Sequence, residues 1–110
     1  MQKQTKIAAN TIRMERGNLY ISAAIYDRYL KNIQTVILLE RDDQWWLMPV
    51  HNAMAGGYLL KRLNSQGDRV IHAADFFRDR KIDDLKSQDL EIEWNKEMAA
   101  LGISAQILQT

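Results

Sequence analysis

The chain has 110 residues, 46% of them hydrophobic and 26% charged, with a formal net charge of +1. That length suits one sizeable core, not two, and the composition excludes a chain too polar and too charged to fold. It contains no cysteine, which removes disulfides, thiolate metal sites, iron–sulfur clusters and a cysteine nucleophile together.

No repeat, low-complexity segment or Pro/Gly/Ser-rich linker marks a boundary, so residues 1–110 are expected to form a single domain. No apolar run approaches the ~20 residues that span a bilayer, and the first residues lead into no apolar signal core. A soluble, cytoplasmic protein is the expectation. The charge is uneven: residues 1–40 carry six Lys/Arg against three acids, and residues 75–110 five against eight. A basic front half is compatible with nucleic acid, although the sequence pI of 8.0 falls below the value of about 9 typical of a basic nucleic-acid-binding face.

In chain order, residues 1–12 read as a loose arm or a short edge strand. Residues 17–21 alternate, with Leu19 and Ile21 on one side, and predict a short strand. Ser22 then has the chemistry of a helix N-cap. Ala23, Tyr26, Tyr29, Leu30 and Ile33 follow at helical spacing, predicting a helix of roughly three turns. Residues 35–41 and 44–50 are β-branched, apolar or aromatic runs separated by Asp42-Asp43, the signature of a β-hairpin. Both faces of that hairpin are apolar: Ile37 and Leu39 oppose Val36 and Leu38, and Trp46 and Met48 oppose Trp45 and Leu47. The pattern predicts either a strand pair sandwiched in the fold or a subunit contact on one face. Pro49 places the end of the second strand, or a sheet edge, near it.

Residues 51–57 read as a small-residue loop, and residues 58–63 and 69–73 as a second hairpin closed by residues 64–68. Asp75 caps a short helix through Phe76 and Phe77, and residues 78–87 form a charged connection. Residues 89–94 alternate like a strand, yet Leu90, Trp94, Met98 and Leu101 also make a helical stripe. Asn95 as a cap and Gly102 as a stop favour a short helix between two strands, the last over residues 103–108. The sum is an α+β fold: a mostly antiparallel sheet, or a partly open barrel, of about five to six strands with two to three short helices.

Chemistry-bearing residues are few. His51 and His72 stand in no metal-ligand spacing, so no metal and no cofactor is expected. His72 fits a half-buried strand position, and His51 a polar loop residue at a strand end. Gly56 and Gly57 let backbone amides approach an anion, but without a phosphate-loop pattern they equally serve as a hinge or bulge. Lys61, Arg62, Asn64, Asp68 and Arg69 gather around the second hairpin, either as a polar site for an anion or nucleic-acid backbone or as the chemistry of a good turn. Serines 22, 65, 87 and 104 occupy caps, turns or polar stretches, and the paired carboxylates Asp42-Asp43 and Asp83-Asp84 suit solvated surface. Trp45, Trp46 and Met48 suit a core, an apolar pocket or a dimer contact.

Residues 17–25, Gly-Asn-Leu-Tyr-Ile-Ser-Ala-Ala-Ile, followed by the hairpin of residues 35–50, resemble the strand, short helix and hairpin order of AbrB-type swapped-hairpin transcription factors. That resemblance implies an interlocked dimer with DNA contacts from Arg13 and Arg16. It departs from the pattern at Ser22, where that family usually has proline, and it stops at Val50. The leading expectation is a non-catalytic, homodimeric binding or interaction module for a small molecule or protein, with its site near residues 51–57 and the second hairpin. The alternative is a small DNA-binding regulator using the basic front half. A third reading, an enzyme with a polar pocket, would need His51, Arg69 or Asp68 to converge in a cleft.

Overall fold

Arg16 and Gly17 both take positive φ, 54° and 79°, the conformation a two-residue hairpin turn requires. The computed structural model describes residues 11–42, 44–51, 56–80 and 87–104. That first turn joins β1 (Thr11–Glu15) to β2 (Asn18–Ile21), which pair antiparallel from Arg13↔Tyr20 to Glu15↔Asn18. Strict alternation turns Ile12, Met14, Leu19 and Ile21 inward, all of them buried. The strand expected over residues 17–21 is therefore preceded by another, and residues 11 and 12 belong to it.

Ser22 caps α1 (Ala23–Ile25) by accepting the Ile25 N–H on Oγ at 3.3 Å. The helix then widens into a π-helical turn, Tyr26–Leu30, and Asn32 leaves with φ 69°. The helical segment is thus shorter than three turns. β3 (Thr35–Arg41) and β4 (Gln44–Val50) pair along their full length, from Thr35↔Val50 to Arg41↔Gln44. Pro49 lies within β4, opposite Val36.

Residues 58–62 form one strand bent at its middle. β5 (Tyr58–Leu59) pairs with β3, while β6 (Lys61–Arg62) pairs with β7 (Arg69–His72). At the bend, the Leu60 N–H donates to the Gln34 carbonyl at 2.8 Å and the Leu60 side chain is buried. α2 (Ala74–Asp79) follows, and then β8 (Gln88–Asn95) and β9 (Ala100–Ile103).

The nine strands of the described residues form a single antiparallel sheet in the order β5-β3-β4-β9-β8-β1-β2-β7-β6. Because its two ends, β5 and β6, are halves of the same bent strand, the sheet curls into a nearly closed barrel. This overturns the expected α+β fold of about five to six strands with two to three helices. Among the described residues, helix is confined to two short pieces. Two features hid the extra strands: the bend at Leu60 splits one strand between two partners, and residues 88–103 form a hairpin where a helix was expected.

In that last hairpin Asn95 does act as a cap, its Oδ1 accepting the Met98 N–H at 2.9 Å. Ala99 then takes φ 52° and closes a four-residue turn instead of propagating a helix. Gly102 is not a helix stop but a strand residue pairing with Trp46 and Glu93. A Cβ there would lie 2.6 Å from the Gln44 amide nitrogen and 3.2 Å from the Trp46 ring.

The core fills the barrel from both ends of the chain. Trp45 packs against Phe76 and Phe77, with ring centroids 5.4 and 5.1 Å away, so α2 plugs the barrel next to β4. Arg80 fastens the plug: its guanidinium lies 3.8 Å above the Phe76 ring and 3.1 Å from the Glu40 carboxylate. Among the described residues, no helix is long and apolar enough to cross a membrane. Of the expected segments, residues 1–10, most of the 51–57 loop, the core of the charged connection with Asp83-Asp84, and the end of the last strand lie outside the described residues, as does Asp43.

Candidate functional site

The polar cluster of the second hairpin divides into two parts with different work. Asn64 and Asp68 build the turn. Asn64 Oδ1 accepts the Gln66 and Asp68 N–H groups at 3.0 and 3.2 Å, and its Nδ2 donates to Asp68 Oδ2 at 3.0 Å. Asp68 Oδ1 accepts the Ala23 N–H at 2.8 Å, which ties the turn to the first residue of α1. Both side chains are thereby committed to holding the hairpin against the helix.

Lys61, Arg62 and Arg69 are placed differently. Together with Tyr26, Ile33, Gln34, Leu59 and Leu60 they line an open cleft of about 560 Å³ between the bent strand and the π-helical turn. Among the described residues its lining includes three cations and no carboxylate. Arg69 is half-buried and lies 3.9 Å over the Tyr26 ring, close enough for a cation–π contact. One of its amino groups, Nη1, donates to the Gly67 carbonyl at 2.7 Å and more distantly to that of Asp68 at 3.5 Å. Its Nε and Nη2 have no partner among the described residues, and no ion pair with it is formed there. The guanidinium is held by a ring and two neutral carbonyls, and among the described residues no carboxylate pairs with it and one donor edge is unused. Arg62 is held on one side as well, Nε donating to the Asn64 carbonyl at 3.1 Å.

The remaining candidates are dispersed. His51 is exposed just beyond β4. His72 faces outward on β7 and shares a 2.8 Å hydrogen bond between its Nδ1 and Asn18 Oδ1. Gly56 and Gly57 are exposed, with φ 86° and 109°; a Cβ on Gly57 would meet the Val36 carbonyl at 2.6 Å, so that glycine permits close passage along β3. Arg69 lines the cleft described above, Asp68 a second cleft of about 330 Å³ beside Arg13 and Tyr20, and His51 neither. His51, Asp68 and Arg69 thus do not share either of these two clefts.

Of the aromatic candidates, Trp45 is buried in the core, while Trp46 and Met48 face outward on β4. Arg13 and Arg16, the DNA contacts implied by the AbrB resemblance, lie on and beyond β1. Arg13 is within 3.5 Å of the carboxylates of both Glu15 and Asp89, and Arg16 is exposed in the turn. Tyr58 donates to Asp75 Oδ1 at 3.0 Å, and burial together with that carboxylate raises its phenol above the ordinary value.

Sequence reasoning found the three cations of the cleft but missed its apolar wall. Tyr26 was legible as an inward-facing helical residue. Nothing local joined it to Arg69, 43 positions later in the chain, because only closure of the barrel brings them together. No family model, curated protein or solved structure matches this chain.

Proposed function

We propose that the protein is a non-catalytic binding module whose ligand is a small organic anion held in the cleft between Tyr26 and the bent strand. One observation carries the reading: Arg69 is half-buried and stacked on Tyr26, and among the described residues its outer donor edge is unpaired and no carboxylate balances it. A preorganised guanidinium edge is well matched to two oxygens of a carboxylate or phosphate. Ile33, Leu59 and Leu60 provide apolar surface for the rest of the ligand, and Lys61 and Arg62 add charge at the rim.

Calorimetric titration with inorganic phosphate, phenyl phosphate and 1-naphthyl phosphate tests this. Affinity should rise in that order as the apolar part grows. Arg69→Met, which keeps an unbranched stem over Tyr26, should weaken 1-naphthyl phosphate by at least about tenfold, the loss expected for hydrogen bonds to a charged group. Equal or absent binding of all three ions would defeat the proposal. Affinity for duplex DNA that falls steeply with salt and depends on Arg13 and Arg16 would instead favour the DNA-binding alternative.

A further inference from the structure

Arg62 and Arg69 stand directly opposite each other on β6 and β7. The Leu63 N–H donates to the Asp68 carbonyl at 2.8 Å, so the Leu63 and Asp68 pair is of the hydrogen-bonded kind. Hydrogen-bonded and non-hydrogen-bonded pairs alternate along an antiparallel ladder, which makes the next pair, Arg62↔Arg69, the closer-set kind, with Cα atoms typically about 4.5 Å apart. Like charges in that position repel. Both side chains are nonetheless held toward the same turn, Arg62 Nε donating to the Asn64 carbonyl at 3.1 Å and Arg69 Nη1 to the Gly67 carbonyl at 2.7 Å. Both also line the cleft beside Tyr26.

We infer that these two guanidinium groups bridge one doubly charged group, so that the cleft selects a phosphomonoester dianion over singly charged anions. The inference rests on the anion-binding reading of the cleft and adds the charge of its ligand. A carboxylate, a sulfate ester or a phosphodiester carries one negative charge, which a single guanidinium matches. A phosphomonoester carries nearly two above its second ionisation, at about pH 6, and offers three unesterified oxygens as acceptors. Those oxygens suffice for donors from both arginines at once.

Among the described residues no group of the protein balances the pair. Neither arginine forms an ion pair there. Asp68, next to Arg69 in the chain, commits its two carboxylate oxygens to the Ala23 N–H and the Asn64 amide and lines the other cleft. Arg69 is half-buried and held 3.9 Å over the Tyr26 ring, so it is not free to swing away from Arg62. The repulsion is therefore built into the empty cleft, and a dianion between the two groups relieves it more fully than a monoanion. Lys61 lies opposite Val70, outside the pair, and contributes charge alone.

Calorimetric titration of the full chain at about pH 8 compares 1-naphthyl phosphate, a dianion there, with two monoanions of the same aromatic body. These are 1-naphthyl sulfate and methyl 1-naphthyl phosphate, the second a diester like that of a nucleic-acid backbone. The wild type should bind the phosphomonoester at least about tenfold more tightly than either monoanion. Arg62→Met should weaken the phosphomonoester by about tenfold and the monoanions by less than about threefold, so that the preference collapses. Lys61→Met should weaken all of them by a similar factor and keep the preference. Both residues are exposed, and circular dichroism of each variant should match the wild type. Equal affinity of the wild type for mono- and dianions, a preference that survives Arg62→Met, or one that Lys61→Met removes as fully, overturns the assignment while leaving the anion cleft standing. Failure of every ion to bind removes the cleft reading and this inference with it.

Discussion

Thr35 carries a buried hydroxyl whose Oγ1 has no hydrogen-bond partner among the described residues. It sits where β3 is flanked by both Val50 and Leu59, so its surroundings are apolar on two sides. Burying an unsatisfied hydroxyl costs about 1–3 kcal/mol, and Thr35→Val replaces it with a methyl of similar volume. The variant should be more stable by about 1 kcal/mol in urea unfolding. Tyr58 offers a residue-scale test of a different kind. Burial first, then the bond to Asp75 and its charge, favour the neutral phenol in the folded protein. Because the folded value is raised, its stabilising contribution is complete below the ordinary phenol value near 10 and is lost as pH rises through the folded value. Absorbance titration should show one tyrosine ionising late, and Asp75→Asn should bring it down part of the way, since desolvation remains.

At the scale of elements, the hairpin turns decide which strands meet, and Gly17 is the most constrained of their residues. Its φ is 79°, and a Cβ would lie 2.7 Å from both Cα and Cβ of Ala74, at the start of α2. Gly17→Ala therefore combines backbone strain with overpacking against the plug helix, and should cost about 2–4 kcal/mol in the same unfolding measurement. The elements differ in how openly the sequence declares them. The β3–β4 hairpin was legible because two long β-branched and aromatic runs flank an acidic turn. β1 was not, because only Ile12 and Met14 carry its inward pattern and polar residues surround them. The 88–103 region misled because the same cap chemistry at Asn95 opens a helix or a turn, and the outcome rests on Ala99 adopting a positive φ. That conformation is uncommon for alanine and has no local signature.

At the scale of the molecule, closure of the barrel creates the cleft between Tyr26 and Arg69. The cations were readable as a cluster because Lys61, Arg62 and Arg69 flank one turn. Their sorting from Asn64 and Asp68 was not, since it depends on Asp68 reaching the Ala23 N–H and Arg69 reaching Tyr26, contacts between distant parts of the chain. The apolar character of both hairpin faces was likewise plain in the sequence.

Binding of an organic anion in the Tyr26–Arg69 cleft is tested most directly by backbone amide NMR of the uniformly labelled chain titrated with 1-naphthyl phosphate. Saturable shifts confined to Tyr26, Ile33, residues 59–62 and Arg69 are expected, abolished by Arg69→Met while the rest of the spectrum stays that of a folded barrel. Unchanged spectra, or shifts centred on Arg13 and Arg16 instead, would contradict it.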